Sequence, residues 1–192
     1  MKPKPSFDHP ICDLLQKRWS PRAFADKPIS TAEALTLLEA ARWAASCINE
    51  QPWRFIWSLN DGSELYRQLF DCLLEGNQAW AGSAPLLMLT MVQTNFAADG
   101  KPNPWAGHDL GLAIGNLTTQ ASCMDLYVHS MGGFSKKKVR AHFDLPEDIE
   151  PMTMIAIGYL GDPATLSEFN QKRELELQER KPLAELVLRG KS

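Results

Sequence analysis

Most familiar catalytic signatures are missing from this chain of 192 residues. No G-x-G-x-x-G follows a strand-like run, so the glycine turn that seats a dinucleotide pyrophosphate on a helix N-terminus is absent. There is no G-x-x-x-x-G-K-[ST] loop to cradle nucleotide phosphates, and no G-x-S-x-G elbow to expose a nucleophilic serine. The four histidines, His9, His108, His129 and His142, show neither H-x-x-x-H nor H-E-x-x-H spacing, and no metal site is expected. His108 and Asp109 are adjacent, and neighbours on a helix do not face one another, so no dyad is expected there. Asp109 is better placed to favour a helix start through the dipole.

Cysteine is scarce. Cys12, Cys47, Cys72 and Cys123 form no C-x-x-C pair and are scattered through apolar-patterned segments. They are expected as buried free thiols of a reducing compartment. No apolar run approaches the roughly 18 residues of a membrane span, and the proline-broken N-terminus has no signal-peptide core. The net charge of −3 offers no basic excess for nucleic acid or an anionic membrane. A cytoplasmic protein is the expectation. With 44% hydrophobic and 22% charged residues, the chain has material for one ordinary core, read as a single domain over 1–192 with a C-terminal arm from about 167.

What is present is a mixture of periods. A short helix is expected within Ser6–Lys17, with Ile11, Leu14 and Leu15 on one face. Ser30 with Glu33 three residues on is a capping-box pattern, opening a helix with a stripe of Leu35, Leu38 and Ala41, flanked by Leu37 and Ala44. Trp53–Leu59 reads as a strand closed by Asn60-Asp61-Gly62, and Pro85–Val92 as a central strand buried on both faces. Helical spacing returns over Ser63–Glu75, and over His108–Leu126 with small residues that permit close packing. Tyr127–Ser130 and Met152–Leu160 read as further strands, with Ser135 capping a small basic helix between them. The tail ends in the strand-like "LAELVL", expected to dock on a partner subunit. Without regular βαβ alternation the class is α+β: a mostly antiparallel sheet of four to five strands flanked by helices.

Two stretches carry unusual chemistry. In "RWSPR", Arg18, Ser20 and Arg22 alternate, and Pro21 keeps the segment out of a helix. Alternate residues of an extended segment share a side, as a phosphate cradle requires, although the same pattern is commoner on a solvated surface. In "AASCINEQPWRF", a hydroxyl, a thiol and two amides crowd a loop between a helix and a strand.

Taken in order, these blocks resemble the FMN-dependent nitroreductases, from Arg18 to about Leu188. "RWSPRAF" is similar to that family's R-x-S-x-R/K-x-F, and "AARWAASCINEQPWRF" to its P-S-x-x-N-x-Q-P-W-x-F. "GNQAW", "HDLGLAIGNLTTQA", "MGGF", "AIGY" and "ERKPLAELV" follow in the family's order. The resemblance implies a homodimer with two FMN molecules in clefts at the interface, reduced by NADH or NADPH in ping-pong fashion, and a C-terminal strand exchanged between subunits. It implies Arg18, Trp19 and Ser20 at the phosphate and ribityl end, Arg180 reaching the phosphate from the tail, and Arg22 and Asn77 at the pyrimidine edge. It places Ser130, Met131, Gly132 and Gly133 against the ring, and brings Ser46, Cys47 and Asn49 from the second subunit. Flavin N5 carries the hydride, so no catalytic side chain is named. Gln93–Gly107 is short for the family, which leaves Trp80, Phe96 and Trp105 to line the substrate mouth. Trp53 is read as core. Ala45 stands where the family usually has proline, Cys47 where it often has serine, and Asp125 where a glycine is usual. Nitroaromatics and quinones are the implied acceptors. Dehalogenation, ene reduction and flavin-dependent oxidation on the same fold stay open, as does a flavin-binding module without turnover.

Overall fold

A computed structural model describes residues 5–188. Four strands, β1 (Trp53–Leu59), β2 (Leu86–Gln93), β3 (Leu126–Met131) and β4 (Ile149–Tyr159), form one sheet in the order β1-β2-β4-β3. Every neighbouring pair is antiparallel. The two central strands are β2 and β4, and β2 is buried along almost its whole length, as its unbroken apolar run requires.

The period of two divides β2 between two cores. Leu86, Met88 and Val92 face helices α2 (Thr31–Arg42) and α5 (Ala106–Cys123), packing with Leu37, Leu110 and Leu117. Leu87, Leu89 and Met91 face the other way, where α3 (Glu64–Cys72), α4 (Glu75–Ala81) and α6 (Lys136–His142) contribute Leu69, Cys72, Trp80 and Val139. Thr90, buried in the centre, shares a hydroxyl contact with Thr153 across the strands at 2.8 Å. Helix α2 begins at the expected capping box: Ser30 Oγ accepts from Glu33 N, and the Glu33 carboxylate accepts from Ser30 N at 2.8 Å.

Several expectations need correction. The first helix, α1 (Asp13–Lys17), lies within its expected bounds but buries nothing. On α2 the inward residues are Ala34, Leu37 and Ala41, whereas Leu35 is 52% exposed. Only Cys72 is buried; Cys12 and Cys123 are exposed and Cys47 lies between, although all four thiols are free. The arm is helical: α7 (Glu168–Leu175) was hidden by its charge, and "LAELVL" begins as the single turn α8 (Leu183–Leu186) instead of a strand. The Leu-Ala-Glu-Leu turn after Pro182 follows helix propensity, and among the described residues no sheet edge takes it up. Trp53, at 7% exposure, is core as read.

Candidate active site

The "RWSPRAF" segment is pinned at three points. Phe24 pairs with Leu160, and Gly161 N–H donates to Ala23 O at 3.0 Å, which lays the segment along β4. His129 of β3 donates from Nδ1 to Pro21 O at 2.8 Å, while its ring lies 4.4 Å from that of Trp80. Burial pushes the His129 imidazole down to about 4, against the opposing pull of its bond to Pro21, so it is neutral with its proton on Nδ1. The third pin is Glu174 of α7. Its carboxylate, completely buried, accepts from Arg22 N at 2.9 and 3.0 Å and from Ala23 N at 3.2 Å, and sits 3.8 Å from the Arg22 guanidinium.

Near these pins two guanidiniums come together. With the Gln178 amide turned so that its oxygen faces them, that oxygen accepts from Arg18 Nη2 at 2.7 Å and from Arg180 Nη2 at 2.5 Å. Arg18 is half-buried, and burial first, then the charge of Arg180, pulls its ionisation below the usual arginine range. Burial, then Arg173, does the same to Arg22, opposed by Glu174. Like charges held together around a neutral oxygen favour an anion between them. Arg18 and Ser20 line a cavity of about 410 Å³ with Ser130 of β3 and Gly111, Gly115 and Thr118 of α5.

At the far end of β3 the glycines divide in role. A side chain on Gly132 would meet nothing within 4 Å, whereas one on Gly133 would stand 2.8 Å from the Asn77 amide nitrogen. That amide donates to Gly133 O at 2.9 Å, so Asn77 is held against the strand end. Met131 is buried. Trp19 packs edge-on to Tyr127 at 6.2 Å. Trp80 is not at any mouth: it is 5% exposed, wedged between His129 and Phe24, because α4 turns its apolar side inward. Phe96 is half-buried and Trp105 exposed, both in the loop before α5.

The "AASCINEQPWRF" loop packs on α5. Cys47 N–H donates to Asp109 Oδ2 at 2.9 Å, and Gln51 N–H to Ser46 Oγ at 3.0 Å. Ile48, Asn49 and Gln51 all have positive φ, at 46°, 59° and 52°. For the β-branched Ile48, which is 77% exposed, this is a strained conformation. Asp109 itself is buried, and His108 Nδ1 lies 3.1 Å from its other oxygen. The two neighbours therefore do meet, since Nδ1 is close enough to its own Cβ to fold back beside the next side chain. Within one chain Ser46, Cys47 and Asn49 do not line the cavity of Arg18 and Ser20. Sequence reasoning missed Glu174, Gln178 and the anchoring role of Asp109. Only Asp109 carried a signal, as the lone acid in its helix.

The fold and these side chains define an α+β protein with a cleft, lined by Arg18 and Ser20, beside the edge of an antiparallel sheet. The chain belongs to the Nitroreductase family, which residues 15–76 and 68–159 match. It is similar to a crystallised oxidoreductase containing FMN, at 34% identity and a TM-score of 0.90, over 97% of this chain and 94% of that one. An uncharacterised 15.4 kDa protein of Mycolicibacterium smegmatis is 32% identical, over 67% of this chain and 84% of its own. A putative NADH dehydrogenase/NAD(P)H nitroreductase of Archaeoglobus fulgidus is 25% identical, over 83% and 90%. Among the described residues no helix is long and apolar enough to cross a membrane.

Proposed function

We propose that this protein is an FMN-dependent NAD(P)H oxidoreductase, active as a homodimer, that reduces small conjugated acceptors such as nitroaromatics or quinones. The observation that carries the reading is the convergence of Arg18 and Arg180 on one neutral oxygen. A phosphate monoester, bearing about −1.5 to −2, fits between two such cations. Bound FMN supplies the hydride chemistry.

The chain's own groups hold and tune it. Arg18, Arg180 and Ser20 take the phosphate end, with Trp19 beside them, and Arg22 offers positive charge to the pyrimidine edge, where reduction gathers negative charge. Asn77 takes the opposite part of that edge. Ser130 and the main chain from Met131 through Gly133 border the ring, with space kept open at Gly132. Ser46, Cys47 and Asn49 close the site from the second copy. Their loop is strained, held by Asp109 and tipped by the exposed Ile48, as suits a segment completed by a partner. Phe96 and Trp105 border the mouth.

Replacing Arg18 and Arg180 together by alanine removes two charged contacts of ~1.5–3 kcal/mol each, so FMN binding should weaken well over tenfold. Unchanged affinity in a fluorescence titration would count against the reading. Sedimentation equilibrium should give twice the monomer mass of 21.5 kDa; a monomer at micromolar concentration would remove the second copy from the site.

A further inference from the structure

Glu174 is the buried carboxylate for which no catalytic need has been given. It belongs to the arm, yet its partners belong to the segment near the N-terminus. Its oxygens accept from the main chain of Arg22 and Ala23, and the Arg22 guanidinium stands 3.8 Å away. All of these are donors, the set a carboxylate satisfies and an amide does not. Complete burial makes the geometry demanding, because a carboxylate out of water needs every one of its bonds. Burying an acid on a helix whose other side chains are mostly polar does little for a core. Its position accounts for it better. On one strand of this contact Arg18 lies just before Arg22; on the other, Arg180 lies just after Glu174. Fixing Glu174 on Arg22 and Ala23 fixes where the two pieces run, and they run to a common point at Gln178.

We propose that Glu174 is a positioning residue that sets the register between the arm and the Arg18–Arg22 segment, and so assembles a phosphate clamp from two distant pieces of chain. The inference rests on the reading of the site as an FMN site. The clamp sets FMN apart from riboflavin: without the peg, Arg180 is no longer held opposite Arg18, a loss that only the phosphate feels, while the disturbance of Arg22 at the pyrimidine edge falls on both flavins alike. Selectivity for FMN over riboflavin is then the property that Glu174 controls.

The test compares FMN and riboflavin binding by fluorescence titration of the full chain, for the wild type, Glu174→Gln, Arg180→Gln and the double variant. Glu174→Gln should weaken FMN binding about tenfold more than it weakens riboflavin binding, the difference expected of one charged contact. The double variant should keep the same FMN-over-riboflavin preference as Arg180→Gln alone, because the peg acts on the phosphate through that arginine. Equal losses for FMN and riboflavin, or a further additive loss of the FMN preference in the double variant, would overturn the proposal. Should Glu174→Gln fail to fold, Glu174→Asp keeps the charge and shortens the reach; it should still lose FMN selectively, and wild-type selectivity in that variant would overturn the proposal. Hydrogen exchange of the cofactor-free wild type gives a further check. The Arg22 and Ala23 amides should open together with α7, and independent opening would contradict the peg. If the wild type binds neither flavin, it is the FMN reading that fails, and exchange alone then judges the peg.

Discussion

Residues that look incidental in the sequence do much of the positioning. His129 is one: it is held neutral by burial, with Pro21 as its partner and Trp80 against its ring. Its folded pKa of about 4 lies below the ordinary 6.5, so the unfolded chain binds the proton first. Its contribution is intact above pH 6.5 and is lost as pH falls from there towards 4, by roughly 3 kcal/mol in all. Urea unfolding of the wild type should therefore weaken over that window more than that of His129→Gln; parallel pH profiles would contradict this account. At this scale the sequence was legible only in part. Arg18, Ser20 and Arg22 could be picked out because their spacing and charge are local facts. Glu174 could not, because its partners lie over 150 positions away in the chain. Trp80 misled for the opposite reason: an aromatic near a predicted site reads the same whether its helix turns it inward or outward.

The elements were readable where one physical signal dominated. The capping box of α2 and the uninterrupted apolar run of β2 gave their places directly. Asp125, standing where the family usually has glycine, does adopt a positive φ of 57°, and its carboxylate pairs with Lys17. Elements failed where charge masked periodicity, as in α7, or where a strand-like composition met no sheet edge, as in α8. The return of the N-terminal segment to β4 depends on a close approach that a sequence does not announce. A Cβ on Gly161 would stand 2.5 Å from the main-chain carbonyl of Phe24, an atom that cannot swing aside. Gly161→Ala should cost about 1–3 kcal/mol or more and loosen the segment bearing Arg18 and Arg22. Thermal unfolding, read with flavin affinity, checks both; a substitution neutral in each would mean the segment is not held by this contact.

On the scale of the molecule, the sheet lends its two faces to two cores and its β3–β4 side to the site. The family resemblance stated the order of these blocks correctly because each is a local motif. What it could not supply is how the arm folds back, and the helices there replace the expected strand. Within one chain the arm meets the N-terminal segment through Glu174, and on the proposed reading the loop from Ser46 to Gln51 is offered to a second copy. Apolar surface is available for such a contact, with Leu35, Trp43, Ile48, Leu112 and Leu186 all exposed. The central claim is that this assembly binds FMN and reduces it with a nicotinamide. Its most direct test is an anaerobic titration of the FMN-loaded protein with NADH and, separately, NADPH, followed by visible absorption. The account predicts a yellow protein that bleaches stoichiometrically with at least one of the two and recovers its colour when a quinone or nitroaromatic is added. A protein that takes up no FMN, or holds it and keeps its colour with both reductants, would contradict it.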